Sequence, residues 1–305
     1  MNNIKYILSF CLLLLIMNNS YSQKTESNLS IGREIKKQTF LDRIAINQSF
    51  DSKHTKTEPA SINIILPKDT TSNSFNLNLG IGINILNENS LISLSPFYEI
   101  KKNTLISKEQ NVRKFGITAT WDVQNVFQKK WTPVIFTKVN HKNDKVLNSK
   151  SVEGQLYFTP IFLEPTGELK YFFIPDRITD LGLIHFNYNP YLGIEYENKF
   201  DTETEEKEGI SRLYTRLKLQ ILILPRILEN RLTIDYNYFY RYDFKNSDNF
   251  ESRNHQLNKV SIAYKFSKFR KNGSASIAVD YTNGENPSDG FKEQEFYGIT
   301  FKVKL

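Results

Sequence analysis

Between Gly209 and Asp243 apolar and polar residues alternate almost without interruption. In the first half Leu213, Thr215, Leu217, Leu219, Ile221 and Ile223 alternate with Arg212, Tyr214, Arg216, Lys218 and Gln220. In the second half Leu232, Ile234, Tyr236, Tyr238, Tyr240 and Tyr242 alternate with Arg231, Thr233, Asp235, Asn237, Arg241 and Asp243. A period of two puts the two sets on opposite faces of a strand. The stretch therefore predicts one β-hairpin, turning at Pro225–Asn230. Each half runs to ~10 residues or more, beyond the ~5–6 of a soluble sheet and equal to the ~9–11 that a tilted strand needs to cross a bilayer. With charges on one face and aliphatics and tyrosines on the other, the apolar face is expected to meet lipid, the tyrosine ladder included.

The same pattern recurs along the chain from Ser61 onward. Phe75–Leu86 is the cleanest case, with Leu77, Leu79, Ile81, Ile83 and Ile85 facing one way and Asn76, Asn78, Gly80, Gly82 and Asn84 the other. Further strands are expected over Ser61–Leu66, Leu91–Lys101, Val112–Val123, Trp131–Val139, Val152–Leu163, Leu183–Glu197, Leu257–Ser267, Ser274–Thr282 and Glu295–Leu305. The predicted fold is all-β: a single antiparallel transmembrane barrel of about 12 strands, within a range of ~10–14. The connections predict longer polar loops on one side, Asn140–Lys150 among them, and shorter turns on the other. Glu164–Asp180 is too long for a short turn and is expected either to fold under the barrel or to hold an extra structured piece.

The N-terminal region reads differently. Lys5, the apolar run Tyr6–Met17 and the small-x-small triplet Ser20-Tyr21-Ser22 have the layout of a cleaved secretory signal over residues 1–22. The cysteine, Cys11, follows Phe10 in mid-run, which is not a lipoprotein arrangement, and the mature chain is expected to lack disulfides and thiolate chemistry. Residues 23–60 are polar and of mixed charge and are expected to form a periplasmic tail, with Glu34–Ile46 as a short amphipathic helix. Residues 61–305 are then the barrel.

Composition alone, at 39% hydrophobic and 24% charged, resembles that of a soluble protein, but a barrel with a polar lumen has the same composition. The 22 Phe and 16 Tyr suit strands and interfacial girdles. The net charge of +7 suits anionic head groups or anionic solutes; nucleic acid is not expected as a partner of an exported protein.

The last segment, where Tyr297, Ile299, Phe301, Val303 and Leu305 alternate down to the final residue, resembles the closing strand of Gram-negative outer-membrane β-barrel proteins. In that superfamily the terminal residue is usually Phe; here it is Leu305. The resemblance implies the outer membrane as destination, its lipids and lipopolysaccharide as surroundings, and the barrel-assembly machinery as a partner during biogenesis. No narrower family is indicated.

The candidate site is the lumen. Arg212, Arg216, Lys218 and Arg241 form a basic strip suited to selecting anionic solutes. Asp235, Glu195, Glu197 and His185 also face inward, with Lys218 expected near Asp235 and Arg212 near Glu195 or Glu197. No catalytic set is indicated. Of the four histidines, His185 lies within a strand, followed by Asn187, but no serine stands where an outer-membrane phospholipase has its nucleophile. No metal-ligand spacing or phosphate-binding loop is present, so neither metal nor cofactor is expected. The expected function is a passive, porin-like channel for small solutes. The alternatives are a barrel enzyme of lipase or protease type and a scaffold for envelope partners.

Overall fold

The computed structural model describes residues 43–51, 58–66, 74–86, 91–104, 109–125, 131–162, 175–201, 209–245, 253–269, 273–286 and 291–304. They form strands β1 (Ile44–Asn47), β2 (Ala60–Leu66), β3 (Ser74–Ile83), β4 (Ile92–Asn103), β5 (Gln110–Asp122), β6 (Trp131–Asp144) and β7 (Ser149–Phe162), then β8 (Thr179–Asp180), β9 (Ile184–Asp201), β10 (Gly209–Ile223), β11 (Leu232–Lys245), β12 (Asn254–Phe269), β13 (Gly273–Asn286) and β14 (Phe291–Lys304). Twelve of these close into one antiparallel ring. Each strand from β2 to β14 pairs with the next, β8 aside, and β14 returns to β2 through Tyr297↔Leu66 to Val303↔Ala60. Closure is what lipid demands, because an unpaired strand edge cannot be hydrogen-bonded there.

The faces follow the alternation. Ile62, Ile64, Leu192, Ile194, Ile277, Val279 and Ile299 are exposed on the outside, with Trp121 and Trp131 towards one end and Tyr196 and Tyr297 towards the other. This is an apolar band with aromatic margins. Tyr236 and Tyr240 lie on the same outer face, and their hydroxyls donate to Asn258 (2.8 Å) and Asn254 (2.7 Å), covering polar side chains of β12. No helix among the described residues is long and apolar enough to cross a membrane.

Three expectations change. Several strands outrun their predicted ends, and two of the polar stretches taken as long loops, Asn140–Lys150 and Asn283–Gln294, are largely strand. Asn140–Lys150 shows the cause. β6 and β7 stay paired as far as Asp144↔Ser149. Asp144 Oδ1 accepts the N–H groups of Val146 (3.0 Å) and Leu147 (3.1 Å), and Asn148 takes a left-handed φ of 45°. An Asx turn therefore reverses the chain in four residues.

The second change concerns the boundary at residue 60. β1 lies within the segment expected to be tail, and Ile44–Ile46 are strand rather than helix. It pairs with β3 from Ile44↔Ile83 to Asn47↔Gly80, and β2 continues along the same edge of β3 from Ser61↔Asn78. β1 and β2 are thus two pieces of one strand, in register, with residues 48–59 inserted between them. The Gln48 N–H to Glu58 carbonyl bond (2.8 Å) closes the neck of that insertion. Residues 34–42 of the expected helix lie outside the described residues, as do 1–22.

Thirdly, within Glu164–Asp180 the described part, 175–180, ends in β8, which pairs with β9 through Thr179↔Phe186 and Asp180↔His185.

Candidate functional site: the lumen

Inward positions of β5 to β11 carry large side chains, and they pack. Phe136, Tyr157 and Tyr214 stack across β6, β7 and β10, with Tyr157–Tyr214 centroids 4.3 Å apart, and Phe239 of β11 meets Tyr214 in a tilted contact. The cations lie on these rings: Arg216 is 4.4 Å from the Phe239 centroid and Arg241 is 4.8 Å from that of Tyr214. Arg241 Nε donates to Glu195 Oε2 (2.8 Å), and the Tyr157 hydroxyl donates to Glu195 Oε1 (2.6 Å).

Towards the end of the barrel where β6 meets β7, a line of alternating charge crosses the interior. It runs from Lys114 to Glu153 (2.9 Å), Lys142 (3.4 Å), Glu197 (3.0 Å), Arg212 (3.1 Å), Asp243 (2.9 Å) and His255 (3.3 Å), and reaches Glu285 (2.7 Å). Each inner link has a neighbour of opposite sign on either side, which compensates for the loss of water at these buried positions.

The described residues of the insertion, 48–51 and 58–59, make three contacts with the lumen wall. Phe50 stacks on Phe97 at 5.4 Å, and its N–H donates to Glu99 (2.7 Å). Room for the ring comes from Gly82, where a Cβ would stand 2.5 Å from Phe50. Asp51 pairs with Lys138 Nζ (2.7 Å), which also donates to Glu99 (2.9 Å). Glu58 accepts a hydrogen bond from Arg216 and lies 3.9 Å from Lys218.

On the opposite side, inward positions of β2, β3, β13 and β14 are mostly small: Ser61, Asn63, Asn76, Asn78, Ser276, Ala278, Thr282, Gly298 and Thr300. Here a cavity of about 520 Å³ remains, open to solvent. Its lining reaches from Gln110 and Asn286 near one end of the strands to Ser274 and Lys304 near the other, with Lys218, Lys259, Lys265 and Lys302 between.

The sequence-selected residues therefore fall into different settings. Arg212 and Arg241 are enclosed in ion pairs with Glu197, Asp243 and Glu195, while Lys218 lines the cavity and Arg216 holds Glu58. The four do not make one continuous strip. Arg212 stands opposite Glu195 in register, yet its nearer carboxylate is Glu197. Lys218 is opposite Asn237, two residues from the expected Asp235, and Asp235 instead accepts from Gln220 (2.8 Å). His185 sits at the barrel rim, 3.5 Å from Asp180, which also pairs with Arg226 (3.0 Å). Asp180 is outside the spanning strands; chiefly the Gly182 N–H, with help from Arg226 and His185, holds its carboxyl below the ordinary value despite the opposing effect of desolvation. No group of three or more His, Cys, Asp or Glu suited to a metal occurs among the described residues.

Phe50, Asp51 and Glu58 were not selected from the sequence. The one sign of them is the Gly80-x-Gly82 pair, which removes two inward side chains from an otherwise regular strand.

No family model matches the chain, and no curated protein does. Among solved structures, it resembles the transport unit of the autotransporter AIDA-I from Escherichia coli with a TM-score of 0.41 and 10% identity, over 90% of this chain and 92% of the other. It also resembles a bacterial polysaccharide outer membrane secretin with a TM-score of 0.39 and 8% identity, over 86% and 97% respectively. Likeness at that level carries no argument about function, which rests on the lumen itself.

Proposed function

We propose that this closed barrel resides in the outer membrane of a Gram-negative cell, after export on a cleaved signal, and conducts small hydrophilic solutes along one side of its lumen. The supporting observation is the polar cavity whose lining reaches from Gln110 and Asn286 to Ser274 and Lys304. A twelve-stranded barrel has room for such a path beside packed side chains. Its lysines favour anions over cations, and Gln48, Glu58 and Pro59 of the insertion narrow it.

The test is single-channel recording of the refolded protein in a planar bilayer under a salt gradient. A small, stable conductance with an anion-directed reversal potential is the expected result. Excising residues 48–59 and joining Asn47 to Ala60 keeps the β1–β2 register and should raise the conductance. Silence of both proteins, each shown to be folded and inserted, would overturn the channel reading.

A further inference from the structure

The placement of Glu58 points to more than a narrowing. Its carboxylate comes from the inserted loop, not from the barrel wall, and it arrives where the wall presents four cations. Arg216 bonds it directly, Lys218 lies 3.9 Å away, and Lys259 and Lys302 line the same cavity as Glu58. These cations come from three strands, β10, β12 and β14. Asp280 is bound to Lys302 (2.9 Å) and Asp235 to Gln220, so the nearby wall carboxylates are already engaged.

A second observation concerns Arg216. Its side chain is 4% exposed, and its NH2 group serves Glu58 and Asn237 (3.1 Å), but its buried Nε–H has no acceptor among the described residues. A buried guanidinium N–H without an acceptor is costly, and an anion with more oxygens than one tethered carboxylate would satisfy it.

We infer that Arg216, Lys218, Lys259 and Lys302 form a binding site for a small carboxylate-bearing solute, and that Glu58 is a tethered occupant which such a solute must displace. This rests on the channel reading for its purpose, though the binding itself does not. Tethering gives Glu58 a high local concentration, so it lowers the apparent affinity for free carboxylates without abolishing it. A competed site suits a conduit, because a solute that is held loosely also leaves.

The experiment is calorimetric titration of glutarate into the full-length protein in detergent micelles, for wild type, Glu58→Gln and Lys259→Gln. Glu58→Gln is nearly isosteric and should bind glutarate about tenfold more tightly than wild type, while Lys259→Gln should bind more weakly. Heat-modifiable gel migration shows whether each variant is folded. If Glu58→Gln fails to fold, the loop-excised protein replaces it, with the same tightening expected. No binding by any folded variant, or equal affinity in wild type and Glu58→Gln, would overturn the inference. In bilayers, glutarate should block current through Glu58→Gln at lower concentration than through wild type. A protein that binds glutarate in micelles but carries no current would refute the channel and leave the anion site standing; current without glutarate binding would do the reverse.

Discussion

The two sides of this lumen are built on the same strand alternation and differ only in what the inward positions hold. Between β5 and β11 they hold Tyr, Phe, Arg, Lys and Glu, and the opposing signs find each other at 2.8–3.4 Å. Between β12 and β3 they hold Ser, Asn, Gly, Ala and Thr with lysines spaced among them, and a cavity remains. Side-chain volume and charge balance decide which side fills. A filled sector stiffens the barrel, and the sector left unfilled is the one available for traffic.

Substitutions can test that division. Glu195→Ala should have the largest effect, since it strips a buried arginine and a tyrosine hydroxyl of their common acceptor; about 3–5 kcal/mol is expected in urea unfolding from micelles. A loss below ~1 kcal/mol would mean that water reaches this sector, and the contrast would fail. Leu192→Arg on the exposed outer face should cost about 2–4 kcal/mol if that face lies in lipid near the midplane, and an unchanged unfolding curve would reject the facing. Gly82→Leu drives a side chain into Phe50 and should loosen the inserted loop at a cost of about 1–3 kcal/mol, read also as a noisier open-channel current. A current as quiet as wild type would show that Phe50 is not an anchor. Asp180→Asn should be smallest, leaving the unfolding midpoint unchanged near neutral pH. Because the folded state holds this carboxyl below its ordinary value of 3.8, any contribution is present above that pH and fades as the pH falls through the lowered value.

Strand number, facing and closure were legible in the sequence because period-two alternation is a local property. Leu213 to Ile223 can point out only if Arg212 to Gln220 point in. Which inward residues meet was less legible, since register depends on turn geometry. The hairpin's turn-side ends, Ile223 and Leu232, lie where the alternation put them, yet Lys218 stands opposite Asn237 and not the expected Asp235, one inward position away. The loop carrying Phe50 and Glu58 was the least legible. Its partners lie 49 and 158 residues away, at Glu99 and Arg216, and no local pattern encodes contacts of that span. The β6–β7 turn, by contrast, was available in Asp144 and Asn148, whose roles follow from turn chemistry.

The interruption of the first strand bears on the order of events during biogenesis. Residues 48–59 leave the wall between β1 and β2, and β2 is also the strand on which β14 shuts the ring, over seven paired positions. A loop rooted beside the seam and held inside by Phe50, Asp51 and Glu58 is most easily brought indoors while that seam is still open, as a ship's rigging is set before the bottle is sealed. Phe50, Asp51 and Glu58 are then already seated on the inner wall when the ring shuts.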